Sequence, residues 1–412
     1  MRTPTLTCVF LCLGCIAEGV AGDDAVARLT VDPGESVRID VPMSVELGPL
    51  DAADGQLTLF EVTGAERKEV PCQVVKTPAV RLCWILSGTT RPGEKRAYEI
   101  ARGTSGLPAA VNVKDSEGAI EVICGGRPAL RYNWAPVPPP KGASELYTRS
   151  GFIHPVWTPS GEVVTGIHPR DHIHHMGLWN PWTSTEFEGH HVDFWNLKEG
   201  QGTVRFREFA SKTSGPVLGG FAAMQDHVDL KAAGGEKVAL NEEFAVNVWS
   251  AGGTESGSFL LDVTTTQKCA SASPLLLNAY RYGGLGFRAT PAWKGGDYLT
   301  SEGLKRNDGH ASRARWCEVH GPGNPAPSGV LFMSHPQNRE HPEPVRLWPG
   351  DGELFFNFCP VQKTEWKLEP GNVYVLKYRV CVHNGPMTSE TAERLWNDFA
   401  NPPKAVLEKV GK

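Results

Sequence analysis

After its first residues the chain alternates apolar and polar side chains with a period of two, the pattern of strands buried on one face. The segments 27–31, 36–41, 56–62, 68–75, 79–86 and 97–101 carry it, with Asp32-Pro33-Gly34 and Arg91-Pro92-Gly93 as turns between them. This predicts a small antiparallel β-sandwich over 23–105. Strands at 119–124 and 130–134 follow, then the stiff proline-rich run 135–140. From Thr203 the alternation strengthens: in GSFLLDVTTTQ, Phe259, Leu261 and Val263 fall on one face and Leu260, Asp262 and Thr264 on the other. Segments 330–334, 353–358 and 373–382 extend the pattern. One segment has a helical period: Thr388 can cap it, Ala392, Leu395, Trp396 and Phe399 share a face, and Asn401-Pro402 ends it. The expected architecture is all-β, a large antiparallel β-sandwich of supersandwich type over 106–386, preceded by the small sandwich and followed by a helix and tail over 387–412.

The 45 glycines and 32 prolines fit a turn-rich β protein. A net charge of -5 with no Lys/Arg block argues against a nucleic-acid partner and for a small-molecule or glycan ligand. Arg2, the apolar run from Leu6 to Ala17 and the small residues up to Gly22 have the pattern of a cleaved signal peptide over 1–22. Secretion or a periplasmic location is therefore expected, with a lipid anchor at Cys15 as an alternative. No later run approaches the ~20 apolar residues of a spanning helix, so the mature chain is expected to lack a transmembrane segment. The cysteines after the signal have no CxxC spacing; Cys72 and Cys83 could pair, but buried free thiols are the expected state.

The chemistry concentrates between His168 and His191, which holds six of the 13 histidines with Asp171, Glu186, Glu188 and, just beyond, Asp193. Imidazole and carboxylate are the side chains that bind divalent metals and move protons near neutral pH. Read as a loop entering a short strand, RDHIHHM puts His172 and His174 on one face and Ile173 and His175 on the other. Two chemistries stay open. In the first, His174 or His175, with His172 beside them, is the acid/base and Asp171 or Glu188 its carboxylate partner. Trp179 and Trp182 then stack on a sugar that Arg170, Arg288 and His154 help to bind. In the second, His172, His174, His191 and Asp193 hold a divalent iron, copper or zinc ion as cofactor. A non-catalytic sugar-binding module is a third reading. The glycine-rich run Tyr282-Gly283-Gly284-Leu285-Gly286-Phe287-Arg288 can bring Arg288 to the pocket, and Glu302 and His310 are further candidates.

GFIHPVWTPSGEVVTG, HPRDHIHHMGLW, YGGLGFR and a terminal strand ending in His383 together resemble the PmoA-like, or methane-oxygenase PmoA, family of secreted bacterial proteins, over roughly 119–383. The resemblance implies site roles for His154, His168, Asp171, His172, His174 and His175; many relatives have an arginine where Met176 stands. The methane oxidation in that name belongs to a protein of membrane-spanning helices, which this sequence lacks after its signal, so the reaction is not expected here. The family is distantly similar in fold to the β-supersandwich of aldose mutarotases, in which a histidine acid and a carboxylate base open and close a sugar ring. No mutarotase catalytic residue carries over position by position. The expectation is an exported carbohydrate-active enzyme of epimerase, lyase or hydrolase type.

Overall fold

Two large antiparallel sheets share the main core, and the alternation along each strand decides which side it buries. The computed structural model describes residues 25–410 apart from 49, 51–55, 77–78, 252–256, 324–325 and 351. The segment read as a signal peptide, with Cys15, lies outside the described residues. In the strand Ser258–Cys269, Phe259, Leu261 and Val263 enter the main core, while Leu260 faces the opposite way into a second apolar cluster. The eight-stranded sheet runs in spatial order Gly202–Thr213, Leu218–Asp229, Lys237–Trp249, Ser258–Cys269, Tyr374–Asn384, Ser328–Ser334, Trp316–Gly321, Asp297–Thr300. The nine-stranded sheet carries the histidine loop; its central strands are Phe152–Val156, Leu178–Trp179, Gly286–Arg288, Phe355–Phe358 and Glu343–Leu347, in that order. Between the sheets pack Tyr132, Phe221, Phe287, Phe332 and Phe356, with Tyr132 and Phe221 at 4.5 Å between ring centroids.

The helix Ser389–Ala400 starts where the cap was expected, with the Thr391 N–H donating to Thr388 Oγ1 at 3.1 Å. Ala392, Leu395, Trp396 and Phe399 cover Trp249, Leu260, Trp316, Leu331, Met333 and Cys381 on the second face of the eight-stranded sheet. The N-terminal residues form a sandwich of five and three strands around Leu29, Val41, Leu59, Trp84 and Ile100. One of its strands comes from the far end of the sequence. Lys404–Lys409 pairs with Ala25–Asp32, setting Leu407 opposite Leu29 and Ala405 opposite Val31. The sequence reading had this segment as tail, because a short, lysine-flanked run shows no strand signal without its partner. The seven described cysteines are free, Cys72 and Cys83 included. Among the described residues, no helix is long and apolar enough to cross a membrane.

Candidate functional site

The HPRDHIHHM segment is a pinned turn and not a strand. Backbone bonds from His168 N to His175 O at 3.0 Å and from Gly177 N to Gly166 O at 2.9 Å fix its ends, and His175 N to His172 O at 2.9 Å closes the turn. This corrects the expected alternation of faces. The turn gathers His172, His174 and His175, with ring centroids 5.6, 5.0 and 4.7 Å apart. His168 holds it from behind, its Nδ1 2.8 Å from the Ile173 carbonyl oxygen. Gly177 makes the exit possible: its φ is +64°, and a Cβ there would lie 2.3 Å from the Ile153 carbonyl oxygen.

The bed beneath the turn is aromatic and cationic. His175, only 2% exposed, stacks on Phe355 at 4.7 Å and packs on Trp179 at 5.2 Å. Arg288 arrives on the strand Gly286–Arg288, whose last N–H donates to the Gly177 carbonyl at 2.7 Å. Its fully buried guanidinium donates to Asp171 Oδ1 at 3.0 Å and to the Glu353 carboxylate. Asp171 Oδ2 in turn lies 3.1 Å from His172 Nδ1, at an angle short of a hydrogen bond. Above this Arg288–Asp171–His172 chain is a cleft of ≈ 40 Å³, lined by the three histidines and by Arg281, Tyr282, Arg346, Trp348 and Phe355.

The electrostatics follow from burial. Desolvation lowers the His174 imidazole to about 3, with His172, Arg149 and Arg288 adding to it, and His175 is also held neutral, by burial first and then by His174, Arg288, His172 and Arg346. Burial also takes His154 to about 4; its Nδ1 is 2.9 Å from Thr165 Oγ1, so it braces the neighbouring strand. For Asp171 partial burial opposes ionisation, but Arg288 and then His172 outweigh it and hold the carboxyl below its usual range. The cleft therefore presents two uncharged imidazoles, His174 and His175, beside a fixed carboxylate.

Other candidates sit elsewhere. The Glu188 carboxylate is occupied by Lys237 and by Ser273 Oγ at 2.5 Å, so it is no partner for the cleft histidines. His191 faces Glu186 at 3.8 Å across the hairpin Thr185–Phe187/His190–Val192. Asp193 Oδ1 accepts from the backbone N–H groups of Trp195 and Asn196 at 2.8 and 2.9 Å. The metal set His172, His174, His191 and Asp193 is thus split. Among the described residues, no three His, Cys, Asp or Glu side chains are disposed to hold an ion. Trp179 and Trp182, both 1% exposed, do not line the cleft: the first lies under His175 and the second donates to Gln267 Oε1 at 3.1 Å. Arg170, Glu302 and His310 are exposed and do not line it either.

Sequence reasoning missed Arg281, Arg346, Trp348, Glu353 and Phe355. The glycine-rich run held the available signal. Buried Asn357 accepts from the Gly283 N–H at 3.1 Å and donates to the Leu285 carbonyl at 2.8 Å, fixing the loop that carries Arg281 and Tyr282. A second buried network centres on Glu242, which is fully buried, accepts from Asn180 and Thr265, each at 2.6 Å, and meets His227 Nε2 at 2.9 Å.

The model of DUF6807, a family of unknown function, matches residues 119–397, which include the whole histidine turn and its bed. The chain belongs to DUF6807. It is this family, and not the PmoA-like one that the motifs resemble, that the match shows. No curated protein matches the chain. Among solved structures, this DUF6807 chain is similar to an alpha-mannosidase from Enterococcus faecalis V583, at 12% identity and a TM-score of 0.44 over 95% of this chain and 46% of that one. It is also similar to a galactose mutarotase related enzyme from Lactobacillus acidophilus, at 11% identity and a TM-score of 0.33 over 66% and 97%. A third is the heparan sulfate lyase HepC from Pedobacter heparinus, at 8% identity and a TM-score of 0.31 over 70% and 38%. The chain spans less than half the length of the mannosidase.

Proposed function

We propose that the cleft is the acid–base site of an exported carbohydrate-active enzyme of epimerase, lyase or hydrolase type. The observation that carries this is the Arg288–Asp171–His172 chain, a buried cation fixing a carboxylate that meets one nitrogen of a cleft-lining imidazole. With its Nδ1–H toward Asp171, His172 keeps an Nε2 lone pair for a substrate proton, and the imidazolium so formed is stabilised by Asp171. Such contacts are commonly long or misaligned before a substrate binds and tighten with it. Asp171 stays ionised in this role because Arg288 holds its charge. His174, uncharged at neutral pH, accepts a hydrogen bond from a substrate hydroxyl. Trp348 and Tyr282 line the cleft beside these polar groups, a mix of aromatic and polar lining that suits a hydroxylated ring. Room for about three water-sized groups means that one substituent enters and the ring lies over the rim.

The test is turnover of a panel of glycosides and free sugars, followed by reducing ends, optical rotation and the absorbance of unsaturated products. His172→Gln should lose about 10²–10⁴-fold in kcat and Asp171→Asn somewhat less, with melting temperatures close to wild type. Wild-type inactivity across the panel, or full activity in His172→Gln, would refute the reading.

A further inference from the structure

Two arginines of the cleft have no counter-ion among the described residues. Arg288 is paired with both Asp171 and Glu353, yet among the described residues neither Arg281 nor Arg346 has a carboxylate within ion-pair distance. Both guanidinium groups instead lie by the ring of Tyr282, at 5.6 and 5.4 Å from its centroid. Arg346 is half-buried, and loss of solvent and then the like charge of Arg281 both work against its protonated form. The histidines that share the cleft give no relief, since His174 and His175 are neutral there.

Holding two cations together in a partly desolvated cleft is unfavourable unless something of opposite charge arrives. The scaffold nonetheless fixes them. Arg346 stands opposite Asn357 in the pairing of Glu343–Leu347 with Phe355–Phe358, and the Asn357 side chain holds the loop of Arg281. The enclosed ≈ 40 Å³ matches a planar group of a few heavy atoms, and an arginine fork pairs with such an anion through two parallel hydrogen bonds. A dianion is disfavoured, because Asp171 and Glu353 together carry one negative charge more than the Arg288 they pair with, which packs on the cleft-lining Trp348.

We propose that Arg281 and Arg346 bind a carboxylate of the substrate, so that the site takes an acidic sugar, a uronate or an aldonate. This rests on the acid–base reading above for the sugar and on the two arginines for the charge. Isothermal titration of the full chain with sodium glucuronate, galacturonate, gluconate, acetate, glucose, galactose and sulfate tests it. Wild type should bind at least one of the acidic sugars about tenfold or more tightly than the neutral ones, with affinity falling as salt is raised. Arg281→Gln, at an exposed position where folding is not at stake, should lose most of that preference, and Arg346→Gln the same. Equal affinity for charged and neutral sugars, or a preference unchanged in both variants, overturns the proposal while leaving the acid–base reading intact. Preference for sulfate over every carboxylate overturns the assignment of the anion. Binding of acetate alone, with no sugar bound, upholds the carboxylate site and overturns the carbohydrate reading; no binding of any ligand overturns both.

Discussion

Glu343 opens the strand that carries Arg346, and it is a fully buried carboxyl with no cation among its partners in the described residues. Its Oε1 accepts from Ser334 Oγ at 2.6 Å and Asn338 Nδ2 at 2.9 Å, and its Oε2 from the Tyr378 hydroxyl at 3.1 Å. Burial pushes it up to about 7 from an ordinary 4.5, the three hydrogen bonds only partly offsetting this. Between those two pH values the folded protein keeps the proton and the unfolded chain has lost it. The native state then binds more protons, so stability falls as pH rises from 4.5 toward about 7 and is flat on either side. Multiplying the gap by 1.36 kcal/mol per pH unit gives about 3 kcal/mol. Glu343→Gln keeps the shape but cannot ionise: its amide oxygen still accepts from Ser334 and Asn338, and its Nε2 donates to the Tyr378 hydroxyl oxygen, as a protonated carboxyl would. Urea unfolding followed by circular dichroism should show the two proteins nearly equal at about pH 4.5 and the variant more stable by about 3 kcal/mol at about pH 8. Curves that stay parallel across this range would show that Glu343 is charged in the folded state and that its hydrogen bonds outweigh burial.

Gly177→Ala should displace the histidine turn, costing about 1–3 kcal/mol from the left-handed backbone alone and abolishing turnover, checked by denaturation and assay together. Thr388→Ala removes the helix cap and should cost about 1 kcal/mol, read as a lower melting temperature with ligand binding unchanged. Alkylation of the native protein should mark Cys269, the half-buried thiol, well before the other six described cysteines, all of which are buried; peptide mass spectrometry after a short exposure checks this.

The strands were legible because burial on one face imposes a period of two that needs no partner to be seen, and 119–124 coincides with the strand Ala119–Cys124. The helix was legible through Thr388 and its apolar face. The site was legible only in its location. A step of two residues between His172 and His174 is the same in a strand and in a turn, and only the bond from His175 N to His172 O distinguishes them. Asp171 and Glu188 are equivalent in sequence as acids beside histidines; what separates them is that Arg288 reaches the first and Lys237 the second. Trp179 looked like a stacking surface because local sequence does not tell an exposed indole from one under a histidine. Arg346 and Trp348 could not be found at all, since they reach the cleft through the pairing of Phe287 with Phe356 and of Arg346 with Asn357.

The strand Lys404–Lys409 at the edge of the N-terminal sheet sets an order on synthesis. Ala25–Asp32 leaves the ribosome well before Lys404–Lys409, so one flank of it stays open while the more than 350 residues between them are made. For that interval its backbone N–H and C=O groups on that side face the surroundings as an unpaired template, the arrangement that draws in foreign strands. This sheet is therefore begun before the two large sheets of the main core and completed after them. During the wait, only the charges Ala25–Asp32 itself carries, Arg28 and Asp32, oppose such pairing.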